Sequence, residues 1–261
     1  MTAIVTPLHD NASLHLRQYV LYLADNSMIL GQRLGEWCGH GPILEQDIAL
    51  TNIALDLIGE ARSLYQYVAE LDGEGKTEDD YPYKRDVLEW KNLLLVEQPN
   101  EDFAYTVVRQ FLFDVYHYHL LEQLVKSKDE RLSAIAAKSV KEARYHLKYS
   151  SEWMVRLGDG TEVSHAKMQK ALDDRYSYFA EALNPSEYEQ AMIGAGIAPD
   201  TQLLQTKIQP LIDEVLSRAT LTAPATPWPQ TGGKTGVHTE HMGYILSDLQ
   251  YLQKTYPNSQ W

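Results

Sequence analysis

Along this chain of 261 residues the apolar positions recur every three or four residues over long stretches, while strand-like alternation is almost absent. That periodicity predicts a nearly all-α protein, punctuated by glycine and proline. A first helix is expected from about Ser13 to Trp37, closed by Gly39-His40-Gly41-Pro42. Pro42 suits the start of a second helix, with Glu45 and Asp47 in first turns that favour negative charge, running to about Leu71. The polar run Asp72 to Asp80 reads as a solvated loop before a short segment around Val87 to Val96. Asn100 reads as the N-cap of a third helix reaching about Val125, and a fourth spans about Glu130 to Leu157. Shorter elements follow: about Ser164 to Leu183, a segment begun by Asn184-Pro185, about Asp200 to Ala219, and about Thr239 to Tyr256, the last two joined by the proline-rich Ala223 to Gln230. One domain, 1–261, is expected, with a core bundle at about 13–157 and a helical extension at about 164–256.

The inward stripes of the four long helices carry acids. At about 100° per residue, Val107, Phe111, Tyr118 and Leu121 share one face of the third helix, with Asp114 in its middle. Asp56 stands at the edge of the stripe Ala49, Ile53, Leu64, Tyr67 and Leu71. Asp25 shares a face with Leu21, Tyr22 and Ile29, and Glu142 with Ile135, Tyr149 and Trp153. A lone ionised carboxylate in an apolar interior costs several kcal/mol, so converging ones need cations, protons or donors. In ferritin-like di-metal bundles two helices each give a carboxylate, and two give a carboxylate with histidine three residues on. Here Gly59 follows Asp56 at that spacing and Tyr145 follows Glu142, with His146 one place late. Asp114 and His117 alone have the spacing, on a helix where the pattern needs no histidine. Asp25, Asp56, Asp114, His117, Glu142 and His146 are therefore vestigial candidates, and no metal is expected on them. Two other readings stay open: buried acids bonded to ordinary polar neighbours, and an unconventional intact metal site. Lys138, Glu142 and His146, four apart on one row, suggest an internal salt bridge in place of metal charge.

Composition narrows the field. With 23 basic and 36 acidic residues the net charge is −13, which repels nucleic acid and anionic lipid. No apolar run approaches the ~20 residues of a membrane span, and residues Met1 to Asn11 lack the charged and apolar blocks of a signal peptide, so a cytoplasmic protein is expected. Cys38 is the one cysteine, and a small buried side chain is the expectation there. Thr231-Gly232-Gly233-Lys234-Thr235-Gly236 imitates a phosphate loop, but Trp228 stands where the first glycine belongs and no strand precedes it. His238-Thr239-Glu240-His241 lacks the zinc-protease order and suits capping or interface contacts. The tyrosines 65, 67, 116, 118, 145 and 149 suit core or interface packing. No local signature marks a hydrolase triad.

Four stretches carry a family likeness: Leu30 to His40 (LGQRLGEWCGH), Leu93 to Asn100 (LLLVEQPN), Lys141 to Leu147 (KEARYHL), and Thr231 to Lys234 with His238 to His241. Together they resemble the C-subunit family of the bacterial ring-1,2-phenylacetyl-CoA epoxidases, from about Tyr22 to Trp261. The resemblance implies a ferritin-like four-helix bundle with additional shorter C-terminal helices, acting as a structural subunit beside a homologous catalytic A subunit that carries the di-iron centre and binds the CoA thioester. It also implies a small B subunit and a reductase subunit with FAD, an iron–sulfur cluster and NADPH. No cofactor and no catalytic residue are carried onto this chain. An autonomous di-metal carboxylate oxidase is the alternative, and a CoA-thioester-binding module a third.

Overall fold

A computed structural model describes residues 8–225, 228–257 and 259. The expectations for residues 1–7, and Thr226 and Pro227 of the proline-rich linker, lie outside that range. All regular structure among the described residues is helical. Four long helices make the frame: α1 (Leu8–Gly35), α2 (Leu44–Asp72), α5 (Phe103–Leu124) and α6 (Glu130–Gly158), with the short α3 (Asp80–Lys84) and α4 (Leu94–Glu97) in the crossover from α2 to α5. α1 packs along α2, α5 along α6, and α2 also meets α6, giving a ferritin-like helical bundle. α7 (Glu162–Arg175), α8 (Ala180–Leu183), α9 (Glu187–Ala195), α10 (Thr201–Arg218) and α11 (Glu240–Thr255) follow: α7 and α10 lie against α5 and α6, α9 against α1, and α11 against α3.

The starts follow local capping chemistry. Asp102, not Asn100, caps α5 by accepting from the amides of Ala104 at 2.9 Å and Tyr105 at 3.3 Å. Asp129 does the same for α6, and the Thr161/Ser164 capping box moves the start of α7 to Glu162, ahead of the expected Ser164. Pro42 stays outside α2, which begins at Leu44 behind an extended Ile43. The helix expected through Leu183 breaks at Arg175 into a 3₁₀ turn, Tyr176–Tyr178, before α8. Cys38 is exposed rather than buried, because α1 ends at Gly35 and the chain turns outward there.

α1 and α5 form the centre, with Tyr19 to Leu30 buried on α1 and Ala104 to His117 on α5. Sequence positions facing every direction of these helices are covered, so their polar residues must find partners inside the protein.

The phosphate-loop imitation proves to be a clasp. Lys234 is buried and donates from Nζ to Glu189 at 2.9 Å and to the Asn184 carbonyl at 2.9 Å. Glu181 accepts from the amides of Gly232 and Leu94, both at 2.8 Å, tying this loop to the crossover. At Gly233 a Cβ would stand 2.1 Å from the Asn92 carbonyl oxygen, and Gly236 adopts φ 89 beside the Leu88 carbonyl. The glycines serve close backbone approach rather than an anion. Gly233→Ala is expected to cost about 1–3 kcal/mol through this clash, read as a lower urea midpoint at unchanged slope.

Candidate functional site

α2, α5 and α6 bring four side chains into two carboxylate–imidazole pairs. On α5, His117 Nε2 donates to Glu60 Oε1 at 2.8 Å, and the Ser27 hydroxyl donates to the same oxygen at 2.8 Å. On α6, His146 Nε2 donates to Asp56 Oδ2 at 3.0 Å. Glu60, His117 and His146 are buried, while Asp56 opens to solvent. Burial opposes charge on both members of the first pair, yet their mutual attraction outweighs it: the Glu60 carboxyl lies below its ordinary range and the His117 imidazole above its own.

Asp114 lies beside these pairs without one of its own. Gln110 donates to Oδ1 at 2.7 Å, and Oδ2 has no hydrogen-bond partner among the described residues. Burial pushes its carboxyl up to about 6, against the lowering influence of His146 and hydrogen bonding. Glu142, half-buried, is raised by burial and by the neighbouring charge of Asp56. The expected salt bridge from Lys138 is not formed: Lys138 is exposed and has no carboxylate within 4.0 Å among the described residues. Its long side chain gains more from hydration than from following Glu142 into the seam.

Asp25 departs from the expected set. Its carboxylate is fully buried, but Arg85 of the crossover takes it in a two-nitrogen ion pair, Tyr65 donates to it at 2.7 Å, and the Lys91 amide at 2.8 Å. Glu60 is the acid that meets a histidine in its stead. It stands two turns after the buried Ile53 and so shares its face, a signal present in the sequence but overlooked beside the Asp56 to Gly59 spacing.

A di-metal centre needs two carboxylate helices and two with a following histidine. As placed, Asp25 is committed to Arg85, the two histidines are committed to Glu60 and Asp56, Gly59 offers no donor, and Tyr145 points to solvent. Among the described residues no three His, Cys, Asp or Glu side chains are grouped to hold a metal ion. The donor set does not fit such a centre. The cavity beside Glu60 and His117, walled by Leu23, Leu64, Phe113, Leu121 and Ile135, has a volume of about 20 Å³. That is room for about one water molecule, against the roughly 150 Å³ that accommodates a benzene ring.

The remaining motif histidine is also internal. His238 donates from Nδ1 to the fully buried Glu97 at 2.6 Å, and Thr239 adds its amide at 2.8 Å and its hydroxyl at 2.6 Å, anchoring the start of α11 on α4. Among the described residues no helix is long and apolar enough to cross a membrane.

Residues 4–261 match the sequence profile of the family described as Phenylacetic acid catabolic protein. The chain is 48% identical over 246 residues to the C subunit of the 1,2-phenylacetyl-CoA epoxidase of Escherichia coli (strain K12), covering 94% of this chain and 99% of that protein.

Proposed function

We propose that this chain, which belongs to the phenylacetic acid catabolic protein family, is the non-catalytic structural subunit of a cytoplasmic multicomponent monooxygenase that epoxidises the ring of phenylacetyl-CoA. The observation that carries this reading is the internal pairing of Glu60 with His117 and of Asp56 with His146, beside a cavity too small for an aromatic ring. Groups that in a catalytic bundle would face metal are here spent on one another. Catalysis, the di-iron centre and the CoA ester then belong to a homologous A subunit. The flavin, iron–sulfur and NADPH chemistry belongs to a reductase, and the system is completed by a small B subunit.

The outer face of α2 supports the pairing with the A subunit. Leu44 (71% exposed), Ile48 (51%), Leu55 (61%) and Ile58 (36%) follow a four-and-three spacing on the side opposite Ile53, Leu57 and Leu64. A helix that is apolar on both faces is one that expects cover on both. Four bulky side chains over about 21 Å suit the long helix of a second bundle, packed by ridges into grooves.

Two measurements test the reading. Elemental analysis of the purified chain from iron-supplemented culture is expected to find near-zero iron and manganese, and about two metals per chain would overturn it in favour of a di-metal oxidase. The Ile48→Asp/Leu55→Asp variant is expected to keep the wild-type melting temperature within a few degrees, since both side chains are already in water, but to lose co-elution with the catalytic subunit. Unchanged co-elution would remove α2 from the interface.

A further inference from the structure

The outer face of α6 has a charge pattern at odds with the rest of the chain. Residues 131–148 hold five basic side chains, Arg131, Lys138, Lys141, Arg144 and Lys148, against a single acid, Glu142, in a protein of net charge −13. The acid sits in the α2 seam against Asp56 rather than on the ridge. Lys138, Lys141, Arg144 and Lys148 are all exposed, and at about 100° per residue they fall within about 120° of one another around Tyr145, itself exposed. The ridge from Lys138 to Lys148 is about 15 Å long.

Elsewhere this chain neutralises exposed helical charge with partners four residues away: Asp80 with Lys84, Lys170 with Asp174, and Glu214 with Arg218. On α6 the neighbours Lys138 and Lys141, Lys141 and Arg144, and Arg144 and Lys148 are pairs of like sign that cost helix stability, set against two pairs of opposite sign, Lys138 with Glu142 and Lys148 with Glu152. Among the described residues no carboxylate lies within 4.0 Å of Lys138, Lys141 or Arg144; Lys148 reaches Glu152 at 3.8 Å, and Arg144 lies 5.9 Å from the ring of Tyr118. A solvated face would have no reason to concentrate repulsion in this way.

We infer that this ridge is a docking surface for a second protein component bearing an acidic patch, separate from the α2 face. The inference rests on the reading that the chain works inside a multi-subunit enzyme. One convex helix face supplies no walls for a small phosphate ligand, and the overall negative charge disfavours nucleic acid and anionic membranes. An acidic patch on a protein can be confined to the ridge itself, away from the negative charge of the rest of the chain, as an extended polyanion or membrane cannot, and Tyr145 lies within the ridge as an aromatic anchor. Contact of this kind is fast and salt-sensitive, whereas the apolar α2 contact is not.

The test uses the complex reconstituted from all components of the enzyme. Carbodiimide, which joins lysine amines directly to contacting carboxylates, is expected to link Lys138, Lys141 or Lys148 to Asp or Glu of another polypeptide at low salt. At about 1 M salt, where the screening length is ~3 Å, those links are expected to vanish. The Lys138→Glu/Lys141→Glu/Lys148→Glu variant is expected to retain the catalytic subunit on gel filtration and its kcat, while its KM for the second component rises about tenfold or more. Absence of links at all three lysines while other lysines react, or wild-type KM in the variant, would overturn the inference. So would loss of the catalytic subunit from the variant, which would assign the ridge to the α2 contact. Metal content and the α2 variant are unaffected by any of these outcomes, so failure here is distinguishable from failure of the structural-subunit reading.

Discussion

Arg85→Met is expected to destabilise the protein by about 3–5 kcal/mol, the range for removing one partner of a buried ion pair. Arg85 follows α3 in the crossover, and its guanidinium binds both oxygens of Asp25, donates to the carbonyls of Tyr81 at 2.7 Å and Glu89 at 3.1 Å, and lies 4.4 Å from the ring of Trp90. Methionine fills much of the volume but leaves Asp25 in the centre of α1 with the Tyr65 hydroxyl and one amide for compensation. The loss should appear as a melting temperature lower by on the order of 10 °C and a lower urea midpoint. The double variant Asp25→Asn/Arg85→Met should recover most of the loss, since no charge is left uncompensated. A single-variant cost below about 1 kcal/mol would mean that Asp25 finds other compensation and that the pair does not pin the crossover to α1.

This pair also marks what the amino-acid pattern could convey. The long helices were legible because their stripes recur over six to eight turns, and errors fell at ends decided by a single cap, as at Asp102 and Thr161. The inward placement of Asp25 and Asp114 was legible from the same stripes. Their partners were not. Arg85 meets Asp25 across 60 residues, and His146 meets Asp56 across 90, distances over which helical periodicity carries no information about contact. Glu60 was legible in principle, two turns from Ile53, but its histidine lies on another helix, so no carboxylate-to-histidine spacing marks it. The outer stripe of α2 was likewise written at Leu44, Ile48, Leu55 and Ile58, and became visible as a surface only once the inner stripe had been placed against α1.

Asp114→Asn is expected to stabilise the protein, the opposite of the usual consequence of changing a buried polar residue. The carboxyl is held at about 6 in the fold against an ordinary value of 3.8, with burial as the largest cause. For an acid raised on folding, ionisation penalises the folded state: the penalty is complete above about pH 6, falls as pH drops from 6 toward 4, and is absent below the unfolded value. At about 1.4 kcal/mol per pH unit of separation, the full penalty approaches 3 kcal/mol. Asparagine removes the charge at nearly constant shape and keeps an oxygen for the Gln110 amide, now 2.7 Å away. The variant should therefore melt higher than wild type at pH 8, with the difference narrowing steadily toward pH 4. Glu60 and His117 behave oppositely: the lowered Glu60 stabilises above its unfolded range, and the raised His117 stabilises below pH 6.5 and loses its contribution as pH rises through its folded value. Removing the Asp114 penalty, which grows as pH rises, should move the variant's stability maximum to higher pH than that of the wild type. Equal or lower stability of Asp114→Asn at pH 8 would mean that the carboxylate is compensated by charge in the bundle centre. That result would reopen the question of what cation the four long helices hold.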